Sequence, residues 1–162
     1  MEMGPLAGEP VRGVKIKLED ATVHEDPVHC GPGQLIPATR AGIFAALLLA
    51  NPILVEPLLK INVKVPVEQV GVITSIIAQK RGRVLSITQK EYLTYIIGEI
   101  PASDTFDLSE VMRGATGGRA FWGTEFSRWE GIPASLLQQT VRDVRKRRGL
   151  SAQPPNPYDL LK

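Results

Sequence analysis

A single cysteine, Cys30, is the whole thiol content of this chain of 162 residues. It cannot close an internal disulfide or build a cysteine-based zinc site, so disulfide scaffolds and zinc fingers drop out and a reducing compartment fits. Long apolar runs are also missing. The longest, Ala41 to Ala50 (AGIFAALLLA), falls short of the roughly 20 residues a membrane-spanning helix needs. No basic stretch followed by an apolar one opens the N-terminus MEMGPLAGEP, which predicts a soluble, cytoplasmic chain without an export signal. GxxxxGK[ST], a GxGxxG after a strand, HExxH and GxSxG are all absent. Phosphate cradles, zinc proteases and serine-hydrolase elbows therefore have no support. Neither sign of charge dominates, with 19 Lys and Arg against 17 Asp and Glu. The pI near 8.8 thus points to local basic clusters and makes nucleic acid a possible partner, not an implied one.

What is present suffices for one or two small domains, since 43% of the residues are hydrophobic. From Val11 to Val23, Val14, Ile16 and Leu18 alternate with Lys15, Lys17 and Glu19, which predicts a strand buried on one face. His24 to Gln34 is a loop broken by prolines and glycines. Leu35 to Leu49 is helical by composition, with Pro37 in its first turn and Asn51-Pro52 beyond its end. Leu58 to Val65 alternates again as a strand, and Val67 to Lys80 puts Val70, Ile73, Ile76 and Ile77 at helical spacing ahead of a capping Gly82. Arg83 to Thr88 and Glu91 to Ile100 flank Gln89-Lys90 as a tight hairpin. A short helix at Asp107 to Arg113 and a last strand within Ala115 to Trp129 follow.

The order βαββαβ predicts an α+β protein containing a ferredoxin-like domain, both helices on one face of an antiparallel sheet. Its expected core includes Ile61, Val63, Val70, Ile73, Ile77 and Phe106. Ser135 to Arg148 reads as an amphipathic helix with a Leu137, Val141 and Val144 stripe, Ser135 as N-cap and Gly149 as stop. The proline-rich tail QPPNPYDLLK predicts an extended appendage without helix.

Chemistry concentrates in the loop His24-Glu25-Asp26-Pro27-Val28-His29-Cys30-Gly31-Pro32-Gly33-Gln34. A metal site lacks a helical histidine pair and a second ligand cluster. A nucleophile pair of Cys30 with His29 is poorer still, because the two are adjacent and point to opposite sides of an extended segment. Two readings stay open: a solvated turn, and a rigid tip that presents His29 to a partner. Two basic clusters, Lys80, Arg81 and Arg83 and then Arg142, Arg145, Lys146, Arg147 and Arg148, are either solvated helix ends or RNA phosphate contacts. Phe121, Trp122, Phe126 and Trp129 could stack bases or fill a core.

The segment HEDPVHCGPGQLIPATRAGIFAALLLANP resembles the fourth domain of the translocation factors of archaea and eukaryotes, the elongation factor 2 family. The likeness continues through EPLLKINVKVPVEQVGVITSIIAQKRGRV, EIPASDTFDLSEVMRGATGGRAF and NPYDLLK. It implies the latter half of domain IV, a partial α/β body with a ribosomal-protein-like βαβ fold, followed by a ferredoxin-like domain V. The implied bodies are 1–54 with a returning C-terminal helix in 130–162, and 55–129. It also implies a non-enzymatic piece of a GTP-driven factor, with GTP and magnesium confined to an N-terminal domain and no cofactor or metal here. The implied partners are the ribosome, through rRNA, tRNA and mRNA at the decoding region and the stalk base, and the enzymes that synthesise diphthamide. No membrane partner is implied. In the family pattern H-x-x-x-x-H-R-G-x-G-Q the second histidine becomes diphthamide, and it falls on His29. His24, Asp26, Pro27, Cys30, Gly31, Gly33 and Gln34 would form the RNA-contacting tip around it. Cys30 departs from the pattern's arginine, which removes a cation near RNA phosphates. The alternative is a stand-alone RNA-binding protein of ribosomal-protein type.

Overall fold

A computed structural model describes residues 2–162. The chain divides into two compact units, residues up to Leu54 together with Ile132–Lys162, and Val55–Gly131.

The central unit is an antiparallel sheet of four strands, β1 (Val55–Pro66), β2 (Arg83–Lys90), β3 (Leu93–Pro101) and β4 (Phe121–Gly131), in the order β2-β3-β1-β4. Helix α2 (Val70–Gln79) connects β1 to β2, and α3 (Leu108–Thr116) connects β3 to β4. That is the βαββαβ topology and the α+β class the periodicity implies. The alternation in β1 sends Ile61, Val63 and Val65 to the helices, where they meet Ile73, Ile76, Ile77, Ile96, Ile100, Leu108 and Met112 in one cluster. Burying a side chain of this kind contributes about 1.5–3 kcal/mol. Phe106 is not part of this core. It is 91% exposed, because it lies in the turn ahead of α3, outside the helical stripe that faces the sheet.

Local backbone explains several shifted boundaries. The hairpin turn falls at Glu91-Tyr92, since Lys90 still pairs with Leu93, and Glu91 takes the left-handed conformation at φ 51°. At the end of α2 the left-handed residue is Arg81 (φ 53°), not Gly82. Gly82 donates its N–H to Ile77 O at 2.8 Å, closing the helix end. It must be glycine for a different reason: a Cβ there would stand 2.7 Å from Glu99 O and 2.8 Å from Ile77 and Ile100 side-chain carbons. Ser127 is an extra residue in β4, where the register with β1 shifts between Leu58 and Leu59.

The second unit holds α1 (Pro32–Leu49) and α4 (Ala134–Arg147). Leu54, Val141 and Val144 bury together with Ala7, and Ile132 N–H donates to Leu54 O at 2.9 Å. Three expectations fail here. The Val11 to Val23 strand does not form, and Val14, Ile16 and Leu18 are exposed, Leu18 by 78%. A strand needs a neighbour for its backbone groups, and all the strands among the described residues belong to the central sheet. The expected βαβ body is therefore represented by helices alone. The tail is not a bare appendage: Pro157–Leu161 forms a 3-10 turn capped by Asn156, whose Oδ1 accepts from Tyr158 N–H at 3.0 Å, and it packs on α1. Proline is tolerated there because the first N–H of such a turn has no internal acceptor. Finally, α4 starts after Pro133, which places Ser135 inside the helix and not at its cap.

Candidate functional site

The loop ahead of α1 is ordered by its own side chains. Asp26 sits in extended conformation, and its Oδ1 accepts from Val28 N–H at 3.0 Å while its carbonyl accepts from His29 N–H at 3.0 Å. These bonds wind Pro27–Cys30 into a 3-10 turn with Asp26 as the N-cap. His24 supports the turn from below, its Nδ1 accepting from Asp26 N–H at 3.0 Å. An accepting Nδ1 carries no proton, so the ring's hydrogen is assigned to Nε2. Cys30 closes the figure: its thiol donates to His24 O at 3.1 Å and leans on Asp26 O at 3.7 Å. Gly31 then serves as N-cap of α1, its carbonyl accepting from Gln34 and Leu35 N–H groups, both at 3.0 Å.

The sequence pattern places Gly31, Pro32 and Gly33 in a turn outside the helix. Pro32 and Gly33 are instead the first residues of α1, since a proline's fixed φ and missing N–H suit the first turn. Pro37 consequently lies inside the helix.

His29 is exposed at the outside of the 3-10 turn. Its ring meets that of His24 edge to face, with centroids 4.7 Å apart. Asp26, Pro27, Gly33 and Gln34 are exposed beside it, and Cys30 and Gly31 are half-buried. Among the described residues no three His, Cys, Asp or Glu side chains converge as a metal site.

The two basic clusters are less uniform than their sequences. Arg145 is only 5% exposed and cannot contact RNA. Its guanidinium donates to Ser151 O at 2.6 Å and to Pro5 O and Leu6 O, each at 3.0 Å. Burial pushes this group down from its ordinary value. The cause lies in the helix period: Arg145 follows Val141 by four residues and shares its inward stripe. Arg148 pairs with Glu9 at 2.9 Å. Arg142, Lys146 and Arg147 remain as the outward-facing cations of this helix end.

In the other cluster, Lys80 pairs with Asp107 at 2.6 Å, and Arg81 binds Glu56 in bidentate fashion at 2.9 and 3.0 Å and Asp104 at 2.6 Å. The Glu56 hydrogen bonds raise Arg81 above its ordinary value despite partial burial. Arg83 donates to Glu99 at 2.8 Å. These cations are committed to holding the sheet's rim.

Both the tip and the sheet fall within known families. The family Elongation factor G C-terminus matches residues 53–140, and Elongation factor G, domain IV, matches residues 1–51. The chain belongs to the elongation factor G C-terminus family. Elongation factor 2 of Staphylothermus marinus is 53% identical over 161 residues, covering 99% of this chain and 22% of that protein. Elongation factor 2 of Metallosphaera sedula is 50% identical over the same coverage. A crystal structure of a Thermus thermophilus protein shares 30% identity with a TM-score of 0.73, covering 90% of this chain and 22% of that one. The chain thus spans about a fifth of the length of these relatives.

The His24 to Gln34 tip lies within the domain IV match and the sheet within the C-terminus match. Sequence reasoning overlooked one feature of that sheet. Glu99, 4% exposed, takes hydrogen bonds from Ser127 at 2.7 Å, from Arg83 and from Arg128. The Ser127 bond, reinforced by the two guanidiniums, holds its carboxyl below the ordinary value of 4.5 against desolvation. The signal was a lone acid between Ile97 and Ile100 in an apolar strand. No helix among the described residues is long and apolar enough to cross a membrane.

Proposed function

We propose that this chain acts as the domain IV and domain V portion of an archaeal-type translocation factor. In this reading the tip carrying His29 enters the decoding region as tRNA and mRNA move, and His29 is the diphthamide position. One observation carries it: an exposed imidazole stands on a turn that is capped by Asp26, braced by His24 and locked onto the start of α1. A bulky cationic modification needs open space together with a fixed direction, and this arrangement offers both. The partners are the ribosome, with rRNA near the tip, and the diphthamide-synthesising enzymes; the setting is the cytoplasm. By itself the chain is not an enzyme and takes no cofactor, GTP and magnesium belonging to a region of the longer relatives that this chain does not match.

Mass spectrometry of the full-length factor from its native host tests the reading. Added mass is expected on the His29 peptide and none on the His24 side of the loop. An unmodified His29 in the native factor would overturn the assignment.

A further inference from the structure

The side-chain bonds that shape the tip all close within residues 24–30, and one of them depends on a proton being absent. Asp26 Oδ1 accepts from Val28 N–H as any side-chain oxygen at that position could. His24 Nδ1 accepts from Asp26 N–H at 3.0 Å only while that nitrogen is bare. An imidazolium carries a hydrogen on both ring nitrogens and has no acceptor left. Its Nδ1–H would then face Asp26 N–H, donor against donor.

The titratable groups around His24 are few, and most are engaged elsewhere. The His29 ring meets it edge to face at 4.7 Å, with 68° between the planes. The Cys30 thiol donates to the His24 carbonyl oxygen, and the Asp26 carboxylate already accepts from Val28 N–H. Upstream, Asp20 Oδ1 accepts from Ala21 N–H at 2.8 Å, while Glu25 is exposed beside the ring's own backbone. Helix α1, which follows the turn, carries no titratable side chain before Arg40.

We infer that the tip is a proton-sensitive switch: neutral His24 holds the braced turn beneath His29, and protonated His24 releases the Asp26 amide and frees the His29 ring. Histidine is the side chain whose charge ordinarily changes between about pH 5 and 8. His29 also titrates, but among the described residues its ring nitrogens take no hydrogen bond, so its own proton breaks nothing in the turn. When both rings are charged, two cations face each other across the ring contact and repel, which favours the same release. The bonds involved lie inside one loop, so the switch needs neither a surface of the central unit nor a partner. It is a property of the unmodified chain and goes beyond the diphthamide reading.

NMR of the nitrogen-15-labelled full chain, at about pH 7.5 and about pH 5, tests the switch. At the higher value the His24 ring should show the Nε2–H tautomer, with a coupling across the hydrogen bond between Asp26 N and His24 Nδ1. At the lower value that coupling should vanish, together with the Overhauser contacts between the two rings. H24N is the locked form, because an asparagine oxygen accepts from the N–H two residues on and gains no proton in this range. Its Asp26 amide should keep its protection, corrected for intrinsic exchange, at both values. D26N removes the other acid and should still switch, as should H29Q, which places the trigger on His24 alone. A coupling that survives protonation of the His24 ring would overturn the inference. So would a loss of Asp26 protection on acidification in H24N, or a switch that disappears in D26N or H29Q. None of these outcomes bears on whether the native factor carries added mass on His29.

Discussion

Arg145 donates through Nη1 to the carbonyl oxygen of Pro5, a residue 140 positions earlier in the chain. The bond ties the returning helix α4 to the N-terminal segment, and Leu6 O, Ser151 O and Ser151 Oγ are the guanidinium's other partners. A cation at this depth is tolerable because its Nε and Nη1 donors meet backbone oxygens and its Nη2 meets the Ser151 hydroxyl.

Replacing Arg145 by Ala should therefore destabilise the unit containing α4 by about 2–4 kcal/mol, since it strands more than one buried carbonyl. Arg147→Ala, on the same helix but exposed, should stay within about 0.5 kcal/mol. Urea titration followed by circular dichroism compares the two. Equal effects would mean that Arg145 is solvated in solution.

Within the central unit, Ile73 is fully buried between α2 and the sheet, whereas Phe106 is exposed. Ile73→Ala should cost about 2–5 kcal/mol through lost contacts and the cavity left behind. Phe106→Ala should change stability by about 0.5 kcal/mol or less. Differential scanning calorimetry decides between this packing and one with Phe106 inside.

Glu99 gives the central unit a dependence on acid. Its folded-state value lies below the ordinary 4.5, so the unfolded chain binds its proton first as the pH falls. The stabilisation is fully present above about 4.5 and is lost as the pH drops through the lower folded value. Glu99→Gln should lower stability at neutral pH by about 1–3 kcal/mol, less than a fully buried pair would lose because Arg83 and Arg128 reach solvent. It should also flatten the decline below about pH 4.5. Chemical denaturation across that range would refute the assignment if the wild type and the variant fell in parallel.

The central sheet was legible where its elements follow a period, β1 alternating and α2 repeating its isoleucines every three or four residues, while β2 and β3 were legible from their β-branched content and the short turn between them. Val11 to Val23 carries an equally clear alternation and forms no strand, since period 2 reports what a segment can pair with and not whether a neighbour is present. Arg145 and Lys146 look alike in a run of cations, yet one is tied to backbone carbonyls and the other is exposed. Only the position of α4 on its stripe separates them, and that depends on Pro5 and Ser151, outside the helix. In the loop, the residues of the tip were legible as a group. Their mutual bonds were not, because His24 Nδ1 and the Cys30 thiol act on backbone atoms that periodicity does not describe.

Those bonds make the tip's rigidity testable at His24. Its ring is an acceptor for Asp26 N–H and a neighbour for His29, while its backbone carbonyl, which any residue would supply, receives the Cys30 thiol. His24→Ala should therefore free the Asp26 amide and loosen the orientation of His29 without dismantling the 3-10 turn, which Asp26 Oδ1 still caps. The loop is exposed, so the global stability should move by no more than about 0.5 kcal/mol. Amide exchange measured by NMR should show Asp26 losing its protection in His24→Ala and keeping it in His29→Ala, with Val28 protected in both. Asp26→Ala should instead expose the Val28 amide, at a local cost of about 0.5–2 kcal/mol typical of a lost cap. If Asp26 stays protected without the His24 imidazole, the brace beneath His29 is made by the backbone alone and His24 is dispensable to it.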